Sequence, residues 1–340
     1  MKKRKIFKTL AFSSLAACMF CLPVLAGCAP AEMLPEKPTQ GQNFDLGLNP
    51  ATDPIVYTTA SGLQIKKSDG KYSSTINDQD LIGYYYFTMG TYSGHNVNWI
   101  ILGRGQMAIA DNTPAGSAIQ LDNQKQEIAI GNSIYESLNL NTMRLNSEIP
   151  NNCFLVLSEC CLGTSLFNPT GYGNRYTYAS DRSITRGTAT YAHTYNNKTP
   201  GTLYTKMKQL YETELNLSAE YKKLIQPQQI RYFYQTTDWM LNSSETIEHY
   251  LFPLAYSGNT NQGNETFCTN NYLPGGVQAN SPHRIAFQIG TTTPISWWVT
   301  TGHTNGAYGK SICYSTTGGG LGIDGDTACG VRPAMVIKLS

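Results

Sequence analysis

The sequence predicts an α+β fold, a mixed domain of short antiparallel strands, about two helices and long loops. Three observations lead to this prediction. Short runs of aromatic and β-branched residues recur along the chain, glycine-containing turns separate them, and helical spacing of apolar residues is concentrated around residues 203–225. Many short strands with few helices indicate the α+β class. Residues 71–340 are long enough to form one globular domain of this kind.

The first predicted elements form a β-hairpin. Tyr84–Phe87 is an aromatic run, and Val97–Leu102 is a second run of β-branched and aromatic residues. Ser93 and Gly94 lie between them and supply the turn. Cys153–Leu157 is a further apolar run, bounded by a proline and two asparagines, which indicates a buried strand.

Two helices are predicted in the middle of the chain. Leu203–Glu214 has apolar residues at helical spacing. In the second helix, Ser218 is the expected N-cap, the helix runs to Ile225, and Pro227 stops it. Residues 163–201, before these helices, are rich in Gly, Tyr, Thr and Asn and are predicted to form long surface loops.

The elements that follow the helices are predicted to be short strands. Each is a short run of mainly apolar and aromatic residues near polar or glycine-containing turns. The predicted strands are Ile230–Tyr234, Tyr250–Leu254, Ile285–Ile289, Trp297–Val299, Ile312–Tyr314 and Val331–Leu339.

Residues 1–27 are predicted to be a secretory signal peptide. The first eight residues carry five basic side chains and no acid, and an apolar and small-residue stretch follows from Leu10 to Ala26. This is the organisation of an export signal. The stretch is too short, and too closely followed by polar sequence, for a comfortable membrane-spanning helix.

The signal ends in LAGC at residues 25–28, which resembles the lipobox of bacterial lipoproteins. The resemblance implies cleavage before Cys28, diacylglycerol on its thiol and a further acyl chain, such as palmitate, on the new amino terminus. Two or three acyl chains anchor a protein durably, whereas one is marginal. An ordinary signal peptide with a chance cysteine is the alternative.

Residues 28–70 are predicted to be a lipidated, extended tether. Prolines punctuate this polar segment, which has little apolar periodicity and cannot bury enough surface to offset the entropy of ordering. We therefore expect the domain to be held on the extracellular face of the cytoplasmic membrane, in a Gram-positive bacterium.

The charge of the mature chain argues against a nucleic-acid partner. The sequence has 25 Lys and Arg against 23 Asp and Glu, and five of the basic residues lie in the signal. The mature chain therefore has 20 basic and 23 acidic residues, a net charge of −3. No basic cluster interleaved with aromatic residues remains. The expected partners are the membrane, through the lipid, and a surface carbohydrate or protein ligand.

Six cysteines lie in the mature chain besides Cys28, which outside the cytoplasm permits three disulfides. Cys313 and Cys329 flank a glycine-rich segment between two predicted strands, and we expect this pair to be bonded. Free buried thiols are the alternative. No C-x-x-C motif occurs in the mature chain, and we predict neither a metal site nor a cofactor.

Three residues of the C-terminal third are candidates for ligand binding. Trp297 and Trp298 are adjacent, so on a strand they point to opposite faces; one should enter the core, and Trp298 is expected to face outward or into a groove. His303 lies in the glycine-bounded loop that follows, and Arg332 lies on the last predicted strand. Structural roles for the tryptophans and for Arg332 are the competing interpretation, since a buried arginine needs carboxylate or carbonyl partners. No catalytic motif occurs, so no catalytic residue is predicted.

Three landmarks within residues 81–340 resemble a family of domains of unknown function common in exported proteins of clostridia and their relatives. The first is the hairpin at 87–102, which follows the form F-G-x-Y-x-G-x-x-I-x-W-x-V-L. The second is the helical middle, Leu203–Ile225, followed by the segment Tyr250–Tyr256. The third is WWVTT at 297–301 with GVRPA at 330–334, where the family has WWLRS and GVRPA. Thr300 replaces the family's arginine, so no role of that arginine is carried over.

The end of the chain also resembles that of formylglycine-generating-enzyme-like domains, which implies a C-type-lectin-like architecture. Their chemistry is not implied, because it needs two closely spaced reactive cysteines, whereas Cys313 and Cys329 are sixteen positions apart. We therefore expect a non-catalytic surface module that binds a carbohydrate, a peptide or a cell-wall component. An enzyme acting on cell-surface polymers and a structural envelope protein are the alternatives.

Overall fold

The computed structural model describes residues 48–68, 85–106, 120–121, 127–128, 145–167, 202–237, 240–256, 265–273, 286–292, 294–302, 308–312, 320–324 and 327–339. Most of the strand pairs in these residues are antiparallel, and two short helices and a further single helical turn lie among them. This confirms the predicted α+β class.

The strands of the described residues are numbered in chain order. They are β1 (Ile55–Thr58), β2 (Gln64–Lys67), β3 (Tyr85–Tyr92), β4 (His95–Arg104), β5 (Gln120–Leu121), β6 (Glu127–Ile128), β7 (Cys153–Ser158), β8 (Thr164–Ser165), β9 (Ile225–Gln226), β10 (Gln228–Thr237), β11 (Met240–His249), β12 (Ala286–Phe287), β13 (Pro294–Ile295), β14 (Trp297–Gly302), β15 (Tyr308–Ile312), β16 (Gly320–Asp324), β17 (Cys329–Gly330) and β18 (Ala334–Lys338). The helices are α1 (Thr202–Gln209), which continues into a π-helical turn (Leu210–Glu214), α2 (Ala219–Leu224) and the single turn α3 (Thr269–Tyr272).

A seven-stranded antiparallel sheet is the largest element of the fold. Its strand order is β1-β2-β3-β4-β7-β18-β9. The last strand of the chain, β18, lies between β7 and β9, with Val336 opposite both Leu155 and Gln226. Strands from both ends of the described chain therefore share one sheet.

The predicted tether boundary near residue 70 is wrong. β1 and β2 lie inside the predicted tether, yet they pair with each other, and β2 pairs with β3. Leu63 and Ile65 are 1% and 0% exposed and belong to the core. Two alternating apolar residues were enough to place this segment on the sheet, although its prolines and polar residues favoured an extended tether.

The predicted entry hairpin is confirmed by β3 and β4. Ser93 and Gly94 have φ angles of 49° and 81°, the pair of positive values that a two-residue type I′ turn requires. Gly90 also has positive φ, at 78°, where the register of the two strands shifts. A Cβ at Gly90 would lie 2.7 Å from the carbonyl oxygen of Leu215, so the glycine also allows the π-helical turn to approach the hairpin.

Both predicted helices are present. In α2, the Ser218 hydroxyl accepts a hydrogen bond from the backbone N–H of Tyr221 at 3.2 Å, as an N-cap should. The first helix differs from the prediction in its second half. There the backbone N–H of Leu215 bonds to the carbonyl of Leu210, five residues back, so Leu210–Glu214 forms a π-helical turn.

The predicted strand Tyr250–Leu254 is not regular. Only Phe252 within it pairs in β fashion, through an isolated bridge to Ala334. The preceding strand β11 ends at His249 and forms a two-stranded ribbon with β10. A five-stranded sheet of order β16-β15-β14-β17-β8 holds most of the C-terminal strands and includes one parallel pair, β14 with β17.

The core lies on both faces of the seven-stranded sheet. Along β7, Phe154 and Val156 belong to one buried cluster, whereas Leu155 and Leu157 belong to the other. Successive side chains of a strand point to opposite faces, so a strand that is apolar throughout must be covered twice. The helices α1 and α2 contribute to the first cluster, which also contains Trp298.

Candidate functional site

The paired tryptophans form no ligand-binding surface, because both are 0% exposed. They do point to opposite faces, since Trp298 belongs to one core cluster and Trp297 to the other. The expectation that Trp298 faces outward is wrong. Its indole N–H donates to the carbonyl of Ser165 at 2.7 Å, and its ring meets Phe167 edge-on at 5.3 Å.

Arg332 is also completely buried, at 0% exposure. Its Nε donates to the carbonyl of Ser158 at 3.0 Å, and a terminal nitrogen donates to the carbonyl of Glu159 at 3.1 Å. Its guanidinium carbon lies 5.2 Å from the centroid of the Trp297 ring. This arrangement is the structural clamp that competed with ligand binding, and the guanidinium is not available at the surface.

His303, Cys28 and Cys313 lie outside the described residues. Cys329 is disulfide-bonded, and its pairing with Cys313 stays a prediction. Cys153, Cys161 and Cys268 are buried thiols. Burial raises the pKa of Cys161 and of Cys268 to about 12 each, and that of Cys153 to about 11. Such thiols are poor nucleophiles at neutral pH.

A half-open pocket of about 290 Å³ lies where α1 and the π-helical turn meet the end of β11. Its lining combines three tyrosines with charged side chains and one buried histidine. The lining residues are Tyr204, Lys208, Tyr211, Glu212, Glu248, His249, Tyr250 and Leu251. We call it the tyrosine pocket.

The helical segment made of α1 and the π-helical turn brings its lining residues to one side through their spacing in the sequence. Tyr204, Lys208 and Tyr211 are at positions i, i+4 and i+7, which lie on one side of a helix. Leu203, Met207 and Leu210 occupy the buried side. The π-helical turn carries Tyr211 and Glu212, and such turns occur frequently at functional sites.

The aromatic rings of the tyrosine pocket contact one another closely. Tyr211 and Tyr250 are stacked, with ring centroids 4.3 Å apart and planes inclined by 3°. Tyr204 meets the His249 imidazole edge-on, with 4.8 Å between centroids. All three tyrosines are partly exposed.

His249 forms a neutral wall of the pocket. It is 3% exposed, and its Nδ1 donates to the carbonyl of Leu251. Burial lowers the pKa of this imidazole to about 4; the nearby Lys208 ammonium acts in the same direction, and the bond to Leu251 opposes it. The side chain is therefore uncharged at neutral pH.

The pKa shifts of His249 and Tyr211 do not suit these two residues to proton transfer at neutral pH. An effective general acid or base has a pKa near the working pH. The pKa of His249 lies well below neutrality, and burial raises that of Tyr211 above its usual value of 10.0. In the part of the chain that the structure describes, no three His, Cys, Asp or Glu side chains are grouped as metal ligands.

Sequence reasoning did not identify the tyrosine pocket. The available signal was the spacing of Tyr204, Lys208 and Tyr211 on the first predicted helix. The other wall comes from Glu248, His249 and Tyr250, almost forty positions along the chain, and no local pattern in the sequence connects the two.

The comparisons with known proteins identify no relative. No protein-family model, curated protein or solved structure matches this chain. Among the helices of the described ranges, none has the length and apolar character needed to cross a bilayer.

Proposed function

We propose that this chain is an exported, lipid-anchored surface protein whose domain binds a carbohydrate, without catalysing a reaction, in the tyrosine pocket. The anchor is the LAGC sequence at 25–28 after a basic and apolar leader. The resemblance of the landmark motifs to a family of exported domains, and the C-type-lectin-like architecture that the chain end implies, are part of the same proposal, but they specify no function.

The three partly exposed tyrosines are the observation that carries the proposal. A sugar ring has a face of C–H groups and an edge of hydroxyls, so it needs a flat apolar surface beside polar groups. Tyr204, Tyr211 and Tyr250 supply both, as each has a ring face and a hydroxyl that donates and accepts.

The polar residues at the rim complete such a site. Lys208 only donates hydrogen bonds, and the ionised carboxylates of Glu212 and Glu248 only accept them. A sugar hydroxyl can therefore accept from Lys208 or donate to either glutamate. The volume of about 290 Å³ is at the lower end of the ~300–1,000 Å³ of small-molecule pockets, which fits one or two sugar units.

An enzymatic role has less support from this site. A glycosidase, for example, needs a carboxylic acid with a raised pKa facing a second carboxylate across the scissile bond. Glu212 and Glu248 are both exposed, and the buried His249 is held neutral and bonded to Leu251.

A glycan array tests the proposed binding. The full mature chain, with Cys28→Ser to remove the lipid, should bind a subset of glycans. Tyr250→Ala should reduce the affinity at least ~10-fold, as does the loss of an aromatic side chain on which a nucleic-acid base stacks in other proteins. Tyr57→Ala is the matched control, because it truncates a partly buried tyrosine of β1 outside the pocket.

Two results would contradict this binding proposal. One is a correctly folded chain that binds no glycan at all. The other is glycan binding that Tyr250→Ala leaves unchanged, which would place the ligand elsewhere on the domain. Circular dichroism and urea unfolding of each variant establish that a loss of binding is not a loss of fold.

The anchor is tested separately by fractionating cells. The wild-type chain should remain with the membrane and incorporate labelled palmitate, and Cys28→Ala should abolish the label and prevent anchoring. Cys18→Ala is the control, since this cysteine lies within the predicted leader. Wild-type protein without acyl label would refute the lipoprotein assignment.

A further inference from the structure

The charged residues of the tyrosine pocket are unequally paired. Lys206 and Glu214, which lie on the same helical segment but do not line the pocket, form an ion pair. Glu212, which lines it, makes no side-chain hydrogen bond or ion pair with the described residues. Glu248 accepts a long hydrogen bond of 3.3 Å from the Gln229 amide. Two exposed carboxylates of the pocket are therefore available to a ligand.

Lys208 does not neutralise these carboxylates. Its ammonium lies 5.7 Å from the ring centroid of Tyr204, and no ion pair joins it to Glu212 or Glu248. The lining carries two negative charges and one positive charge, because the buried His249 is neutral. The Lys222 ammonium lies next to the pocket, where it donates to the main-chain oxygen of Glu212 at 2.8 Å. The two carboxylates therefore attract a cationic group by direct contact, not through a net negative field of the pocket.

The tyrosine rings are also suited to a cation. Two of the three already have an ammonium group nearby, since Lys222 Nζ lies 5.3 Å from the centroid of Tyr211 and Lys208 Nζ lies 5.7 Å from that of Tyr204. The face of a tyrosine ring attracts ammonium groups through its quadrupole. Lys208 is exposed and has a flexible side chain, so a ligand amine can take its place over the ring.

We propose that the carbohydrate bound here is an amino sugar with a free, protonated amine, which Glu212 and Glu248 recognise while a tyrosine ring packs on the sugar. This rests on the proposed carbohydrate-binding function and specifies its ligand class. The amine forms charge-assisted hydrogen bonds with the carboxylates. Acetylation of the nitrogen removes the charge and leaves an amide that cannot form charge-assisted hydrogen bonds with the carboxylates.

Two oligosaccharides of equal length distinguish these ligands. One is β-1,4-linked glucosamine and the other is its fully N-acetylated form, and binding of each to the full mature Cys28→Ser chain is measured by calorimetry at slightly acidic pH. We expect the free-amine oligomer to bind about 10-fold more tightly, because partly exposed ion pairs between its amines and the two carboxylates contribute at most about 1 kcal/mol each. The difference should shrink as salt is added, because salt screens exposed charges.

Variants assign the difference to the two carboxylates. Glu212→Gln combined with Glu248→Gln keeps the shape of the rim and should bring the two oligomers to equal affinity. Glu220→Gln is the matched control, because Glu220 is an exposed glutamate of α2 paired with Lys223 and does not line the pocket. It should leave the preference for the free amine unchanged.

The other outcomes contradict either the amino-sugar inference or carbohydrate binding itself. If the acetylated oligomer binds as tightly, or if the array selects only neutral glycans, the amino-sugar inference is wrong and carbohydrate binding stands. A preference for the amine that survives the double substitution also overturns the inference, since other groups would then recognise the charge. If the folded chain binds no glycan, carbohydrate binding itself is wrong.

Discussion

The region around the paired tryptophans and the tyrosine pocket are both rich in aromatic residues, yet they differ in exposure. Trp297, Trp298 and Arg332 are all 0% exposed, and Trp298 and Arg332 donate hydrogen bonds to main-chain carbonyls. Tyr204, Tyr211 and Tyr250 are partly exposed and lie beside Lys208, Glu212 and Glu248, which form no ion pair with one another. The first group stabilises the domain, whereas the second has surface left for a ligand. A distinctive motif in a sequence can therefore mark the core, and the binding site proposed here lies in less distinctive residues.

The largest effect should come from removing a tryptophan. Trp298→Ala deletes a fully buried ring and the bond to Ser165, and should lower the free energy of unfolding by about 3–5 kcal/mol. Tyr250→Ala removes a partly exposed stack and should cost only about 1 kcal/mol. Urea unfolding measures both. Equal losses for the two variants would break the distinction between a structural and a binding region.

A smaller effect should come from the protonation of His249. The unfolded chain takes up a proton with a pKa near 6.5, whereas burial lowers the folded pKa to about 4. Between these values the unfolded state binds more protons, so stability is full above pH 6.5 and falls as the pH drops to 4. The loss amounts to about 3 kcal/mol by the conversion of 1.36 kcal/mol per pKa unit.

The variant His249→Asn isolates this contribution. The asparagine amide can still donate to the Leu251 carbonyl but does not titrate. The unfolding free energies of the wild type and the variant should differ by a constant above pH 7. Below pH 6.5 the unfolding free energy of the wild type should fall relative to that of the variant. Parallel curves down to pH 4 would mean that the imidazole is not buried in the neutral form, and the pocket would need a different charge balance.

Local signals in the sequence predicted the local elements well. The Ser93-Gly94 turn, the Ser218 cap and the apolar run of β7 are specified by residues within a few positions of one another. Dihedral preferences and single hydrogen bonds decide such features. The alternation that sent Trp297 and Trp298 to opposite faces is equally local.

Tertiary contacts account for the errors. The alternation of side chains along β14 predicts that Trp297 and Trp298 point to opposite faces, but it does not reveal that both faces are covered. Trp298 is covered by Ser165 and Phe167, which lie more than 130 positions away in the sequence. β1 and β2 are short, and the pairing of β1 with β2 and of β2 with β3 outweighs their prolines and polar residues. The tyrosine pocket likewise exists only once β11 is packed beside α1.

The place of β18 in the large sheet has a consequence for how the chain is made. Ribosomes deliver a polypeptide from its amino end, and this sheet lacks the strand between β7 and β9 until residues 334–338 arrive. Until then two edges remain open, and non-local pairing is slow in any case. We therefore expect the core of this sheet to close only after residues 334–338 have been synthesised.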